Sequence, residues 1–118
     1  MPKRILIAEN KLGCRELIKI HARSNGYEVV AVADGVDLLT TSANEQFDLI
    51  ITDLMMINPN GASATKIMKM QGNTVPVIAL TALTLKDTLS VQDKFTKLFH
   101  KPCIYKDLFM YVESLIGK

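Results

Sequence analysis

The stretch Phe47-Asp-Leu-Ile-Ile-Thr-Asp-Leu-Met-Met56 decides how this chain folds. An apolar, β-branched run ends in a carboxylate at Asp53 and then resumes with apolar residues. Short runs of this kind, bounded by polar residues, signal a strand buried on both faces. A charged side chain at the end of such a strand needs a chemical reason, because burying an unpaired carboxylate is costly.

Outward from this stretch the same pattern repeats. Runs 4–8 (RILIA), 27–32 (YEVVAV), 47–52 (FDLIIT), 75–80 (VPVIAL) and 96–99 (TKLF) predict five strands. Between them, 11–24 places Cys14, Leu17, Ile18 and Ala22 on one helical face and stops at Asn25-Gly26, where either residue supplies a left-handed cap. Segments 36–44, 62–71 and 84–94 are further helix candidates, and 104–116 repeats Ile104, Leu108, Val112 and Leu115 at helical spacing. Apolar strands alternating with helices imply an α/β fold: one five-stranded parallel sheet with helices on both faces and right-handed crossovers.

Composition narrows the function classes. The chain has 118 residues, 48% hydrophobic and 22% charged, with a net charge of +2. That length suits a single domain over 1–118. The charge is too mild to imply nucleic acid, and no apolar stretch approaches the roughly 20 residues that span a bilayer. The start MPKRILIAEN carries no cleavable signal pattern, so the expected location is the cytoplasm. Cys14 and Cys103 match neither a disulfide framework nor a metal-ligand spacing and are assigned no chemistry.

Open α/β sheets place their sites at the carboxyl ends of the strands. Those ends carry Glu9 and Asn10, Asp53, Thr81 and Lys101. A carboxylate can act as nucleophile toward a phosphoryl group, a transfer that depends on positioning and on neutralising the equatorial oxygens. Lys101 and Thr81 are suited to that neutralisation. Mg²⁺ needs only one or two protein carboxylates besides water and phosphoryl oxygens, and Glu9, Asp53 and the Asn10 amide oxygen could hold it.

The acid at Glu9, the aspartate Asp53, Gly61 eight residues later, the Leu80-Thr-Ala82 triplet and the Lys101-Pro102 pair, in this order and spacing, resemble the receiver domain of two-component response regulators over essentially the whole chain. The resemblance implies a flavodoxin-like (βα)5 fold. It implies that Asp53 accepts a phosphoryl group from a phosphohistidine on a sensor histidine kinase or a histidine phosphotransfer protein, with Thr81 and Lys101 contacting that group. It further implies a Mg²⁺ site that includes the backbone carbonyl of Met55, a cis bond before Pro102, a signalling module and not an enzyme, and a monomer or weak dimer.

Several positions depart from that family's pattern. Glu9-Asn10 stands where two adjacent acids are usual, which lowers the expected Mg²⁺ affinity. Ile57 replaces a proline, and Pro59 arrives two positions late. Leu98, beside Phe99, occupies the place of an aromatic switch residue. The segment before Lys101 is short and lacks the usual glycine, so a trimmed or rotated fourth helix is expected. Met55 and Leu83 flank the phosphoryl position and are apolar, which predicts slow hydrolysis of an acyl phosphate. Asn10, Ile57 and Leu98 keep open an alternative, a degenerate receiver that binds partners without phosphorylation. A small α/β enzyme is disfavoured, because neither GxGxxG nor GxxxxGK[ST] occurs and Met55 stands where a dehalogenase-type phosphatase needs an acid.

Lys11, Arg15, Lys19 and Arg23 recur at i, i+4 along the first helix, either a solvated face or a docking surface for an acidic phosphodonor. His100 is expected on the opposite side of its strand from Lys101, and both His100 and His21 are expected to be neutral packing or surface groups. Asp48 reads as turn chemistry.

Overall fold

The computed structural model describes residues 2–56 and 59–118. Five strands, β1 (Arg4–Ala8), β2 (Glu28–Val32), β3 (Leu49–Asp53), β4 (Val77–Thr81) and β5 (Lys97–His100), alternate with helices α1 (Leu12–Ser24), α2 (Gly35–Asn44), α3 (Gly61–Met70), α4 (Leu85–Thr88) and α5 (Tyr105–Ile116). The strands form one parallel sheet in the order β2-β1-β3-β4-β5.

Side-chain parity divides the core into two layers. Ile5, Ile7, Leu49, Ile51, Ile78 and Leu80 face Ile18 and Ala22 of α1 and Leu108, Phe109 and Val112 of α5. Leu6, Ala8, Ile50, Val77 and Ala79 face Leu38 of α2, Ala64 and Met68 of α3, and Phe95. Every residue of β3 and β4 is buried, the signature of central parallel strands covered on both sides.

The expected strands all form, β1 with its expected bounds and the others shifted by one or two residues. β4 starts after Pro76, which has no N–H to give a ladder. Gly26, at φ 91°, supplies the turn after α1, where Asn25 takes an ordinary conformation. The expected helix over 84–94 is corrected: α4 is one turn, Leu85–Thr88, and Gln92–Lys94 forms a 3-10 turn. A longer helix would lack an apolar face, because its buried member is Thr88 while Leu85 and Leu89 face solvent. Leu17 is likewise 48% exposed and does not join Ile18 and Ala22 in the core. In α5 only Leu108 and Val112 of the expected four are fully buried, since Ile104 is the N-cap and Leu115 lies at the rim.

Candidate functional site

Four strand ends meet on one edge of the sheet. β1 delivers Glu9, whose amide donates to the Val32 carbonyl at 3.0 Å and so fixes the residue just past the strand. β3 delivers Asp53, and β5 delivers Lys101, whose amide donates to the Thr81 carbonyl at 2.7 Å. The Lys101-Pro102 bond is cis, as expected. Lys101 Nζ reaches back between the two acids, donating to Glu9 Oε1 at 2.6 Å and to Asp53 Oδ2 at 2.7 Å. The second Asp53 oxygen, Oδ1, accepts the Met55 N–H at 2.8 Å.

Glu9 is 1% exposed and Asp53 6%. Among the described residues Glu9 Oε2 has no hydrogen-bond partner. Burial raises the Glu9 pKa, the adjacent Asp53 raises it further, and Lys101 opposes both. For Asp53 burial also acts upward, but the adjacent Glu9 together with hydrogen bonds from Lys101 and the Met55 amide outweighs it, and the net shift is downward. Burial pulls Lys101 down and the two carboxylates more than reverse this, so the ammonium is held well above its ordinary range. The environments therefore drive the two acids apart: Asp53 is the carboxylate kept ionised, and Glu9 is the one that takes up a proton more readily. An ionised, rigidly held carboxylate beside one ammonium is equipped for nucleophilic attack on phosphorus.

The donor set also fits a divalent cation. Two carboxylates converge, and the unpartnered Glu9 Oε2 is a ready oxygen ligand. Among the described residues no group of three or more His, Cys, Asp or Glu side chains is placed to hold a metal, so the rest of a coordination shell would be backbone, amide and water oxygens.

The remaining expected residues are placed less tightly. Thr81 is fully buried at the end of β4, but its Oγ1 accepts the Leu83 N–H at 3.0 Å and makes no hydrogen bond to Asp53 or Lys101. Asn10 is exposed beside Glu9. Met55 turns its amide to Asp53 and leaves its side chain 53% exposed. Ile57 lies outside the described residues. Gly61 has a steric reason: a Cβ there would collide with the Asp53 carbonyl oxygen, so only glycine lets α3 start against the end of β3.

Leu98 and Phe99 point to opposite layers. Phe99 packs edge-on against Tyr111 of α5, centroids 5.9 Å apart, and so cannot stand in for an aromatic at position 98. His100 lies 3.2 Å from Thr88 Oγ1, away from the Lys101 side, and His21 stacks on Tyr105 at 4.8 Å. Asp48 Oδ2 accepts the Arg4 N–H at 2.8 Å, the local turn role expected of it. Cys14 and Cys103 are free, half-buried thiols, and burial pushes the Cys103 pKa up.

Sequence reasoning missed Arg15 as a neighbour of the site. Its Nη1 donates to the Glu9 carbonyl at 2.9 Å, bracing the loop between β1 and α1. The signal was its place in the first turn of α1, six residues after Glu9. The basic row is accordingly not one free face: Lys19 pairs with Glu16 at 3.2 Å, and Arg15 and Lys19 are half-buried while Lys11 and Arg23 are exposed.

Comparison with known proteins agrees with this geometry. Residues 5–112 match the family model of the response regulator receiver domain. The chain is 33% identical over 82 residues to the response regulator MprA of Mycobacterium sp. (strain KMS), covering 70% of this chain and 36% of that protein. Over 118 residues it is 27% identical to the transcription factor SKN7 of Saccharomyces cerevisiae, covering 95% of this chain and 19% of that protein. It thus spans well under half the length of these curated relatives. Among solved structures, the receiver domain of a sensor histidine kinase from Pseudomonas aeruginosa, with a magnesium ion coordinated in its active-site cleft, superposes with a TM-score of 0.91 at 29% identity, each chain covered in full. The receiver domain of a Francisella response regulator gives a TM-score of 0.91 at 26% identity, covering 97% of this chain and 96% of that one. No helix among the described residues is long and apolar enough to cross a membrane. A matched family model over residues 5–112 and a sheet whose strand ends gather Glu9, Asp53 and Lys101 place this chain in the response regulator receiver domain family.

Proposed function

We propose that Asp53 is the phosphoacceptor of this receiver, and that the unit formed by residues 1–118 works as a signalling module in the cytoplasm and not as an enzyme. The observation that carries this reading is the pair of short contacts from Lys101 Nζ to Glu9 and Asp53, 2.6 and 2.7 Å. They hold an ionised carboxylate at the sheet edge with a cation beside it.

In the reaction a carboxylate oxygen of Asp53 attacks the phosphorus of a phosphohistidine. The O–P bond forms, the N–P bond breaks, and the imidazole keeps the electron pair of the broken bond. The Met55 N–H keeps the carboxylate oriented, which supplies positioning. Lys101 shifts from the carboxylates to the incoming phosphoryl oxygens, and Thr81 turns its hydroxyl from the Leu83 amide toward them. Glu9, Asp53, the Asn10 amide oxygen and the Met55 carbonyl would hold Mg²⁺, which when bound neutralises charge between the carboxylate and the phosphoryl oxygens.

The phosphodonor, a sensor histidine kinase or a histidine phosphotransfer protein, docks on α1. That helix starts three residues after Glu9 and exposes Leu12, Leu17 and Ile20 between Lys11 and Arg23. An apolar patch with a basic rim suits a helical partner with an acidic rim. The domain acts as a monomer or weak dimer and binds no nucleic acid itself. No structural observation favours a phosphorylation-independent binding module.

Intact mass after incubation with a small-molecule phosphodonor tests the proposal. A single phosphoryl adduct that requires Mg²⁺ and is absent from Asp53→Ala supports it. No adduct at saturating donor and metal refutes it.

A further inference from the structure

A groove lies on the sheet face opposite α1 and α5, between the second half of α3 and the turn that replaces the end of the expected fourth helix. It is about 370 Å³, lined by Thr65, Lys66, Lys69, Met70 and Lys94. Lys69 Nζ donates to the Lys94 carbonyl at 2.6 Å, which ties the 3-10 turn Gln92–Lys94 to α3. Lys66, Lys69 and Met70 share a helix face by their i, i+3, i+4 spacing. Among the described residues none of the three lysines forms an ion pair, and no carboxylate lines the groove. Met70 is 77% exposed, the most exposed large hydrophobic side chain in the described structure.

From this we infer that the α3 groove is a docking site for an acidic, amphipathic peptide segment of a partner protein, distinct from the phosphotransfer site. Three ammonium groups with no carboxylate partner among the described residues, set around a flexible thioether, suit a ligand that brings carboxylates at its edges and an aliphatic side chain in its middle. Met adapts its shape to such anchors. The sign of the charge selects the partner, and the apolar floor separates a peptide from a polyanion. Nucleic acid is the weaker fit, because the lining holds no aromatic side chain to stack a base and no arginine to fork a phosphate. The groove lies at the C-terminal half of α3, whereas Asp53 abuts the helix start at Gly61, so occupancy of one leaves the other accessible.

Amide NMR titrations of the whole ¹⁵N-labelled chain test the inference with three probes: a blocked peptide Glu-Glu-Leu-Glu-Glu-Leu-Leu-Glu, its counterpart with Gln for Glu, and a short oligothymidylate. The acidic peptide is expected to shift Lys66, Lys69, Met70 and Lys94 saturably and to bind about tenfold more tightly than the Gln peptide, the sum of a few surface ion pairs. Lys66→Glu, at an exposed position whose side chain makes no hydrogen bond among the described residues, is expected to weaken it by a similar factor while leaving phosphorylation unchanged. Shifts confined to other residues, equal binding of the two peptides, or tighter binding of oligothymidylate at the same amides would each overturn the inference.

Discussion

Replacing Lys101 by Met removes the one ammonium that serves two buried carboxylates and keeps the volume of its stem. With Glu9 1% and Asp53 6% exposed, neither acid recovers its hydration when the lysine leaves. Orphaning one side of a buried ion pair costs about 3 to 5 kcal/mol. The Lys101 side chain is itself 21% exposed, which points to the lower end, about 3 kcal/mol at pH 8. Against a total stability of about 5 to 15 kcal/mol the variant still folds. A midpoint drop of roughly 10 to 15 °C should accompany it.

The loss must depend on pH. Glu9 already has a raised pKa, and removing Lys101 deletes the influence that opposes the rise. An acid whose folded pKa lies above its unfolded value costs stability in full above the folded pKa, and the cost shrinks steadily as pH falls from there toward the unfolded pKa. Lowering the pH from 8 to 5 should therefore return a large part of the loss in Lys101→Met. In the wild type the lowered Asp53 pKa contributes stability present above about pH 3.8 and lost in more acidic solution, whereas the raised Lys101 pKa contributes stability that is complete below about pH 10.5 and lost above it. Urea unfolding followed by far-UV circular dichroism suits a chain without tryptophan. A loss below about 1 kcal/mol at pH 8, or an equal loss at both pH values, would show that the lysine does not hold the acids as argued.

Asn10→Asp restores a second acid beside Glu9 and should tighten Mg²⁺ about tenfold by calorimetric titration, since a charge near the cation contributes roughly 1 kcal/mol or more; unchanged affinity would exclude position 10 from the shell. Gly61→Ala drives a methyl into the Asp53 carbonyl and should cost about 1 to 3 kcal/mol in urea unfolding and lower the yield of phosphoryl adduct; a stable, fully phosphorylated variant would contradict the packing. Met55→Asn and Leu83→Asn place polar groups beside the amides that bind Asp53 and Thr81, and should speed decay of the phosphorylated form several-fold in a time course of intact mass. Unchanged or slower decay would mean these side chains do not limit water. Asn60→Ala removes the cap that accepts the Ser63 N–H at 2.9 Å and should cost about 1 kcal/mol, measured by thermal unfolding.

The sheet was legible because its central strands carry unbroken Ile, Leu and Val, and because period-two parity fixes which of those residues share a layer. Asp53, Glu9 and Lys101 were legible for a related reason, as the charged residues immediately past buried strands. The fourth helix was legible only in part: the short segment before Lys101 announced its trimming, but the apolar pattern still suggested a helix over 84–94. Leu85, Leu89 and Val91 give 84–94 an apolar look, yet the buried position is Thr88, whose hydroxyl lies within hydrogen-bonding distance of the Thr84 and Leu85 carbonyls and of His100. Back-bonding of this kind competes with helix continuation and is invisible to a hydrophobicity pattern. Leu17 misled for a different reason, since residues 14, 17 and 18 span an arc wider than the face α1 buries. Which acid stays ionised, and where the Thr81 hydroxyl points, depend on contacts of a few tenths of an ångström, a scale that spacing does not encode.

The bridge made by Lys101 joins residues 92 and 48 positions apart in the chain. β1 lies inside the sheet and β5 at its edge, linked only through β3 and β4, so the three charged groups cannot meet until every intervening strand has been laid down. Contacts of such long sequence separation form late in folding. Competence to receive a signal is thus a property of the completed domain, and a half-folded or truncated chain, however native its helices, presents nothing for a phosphodonor to act on.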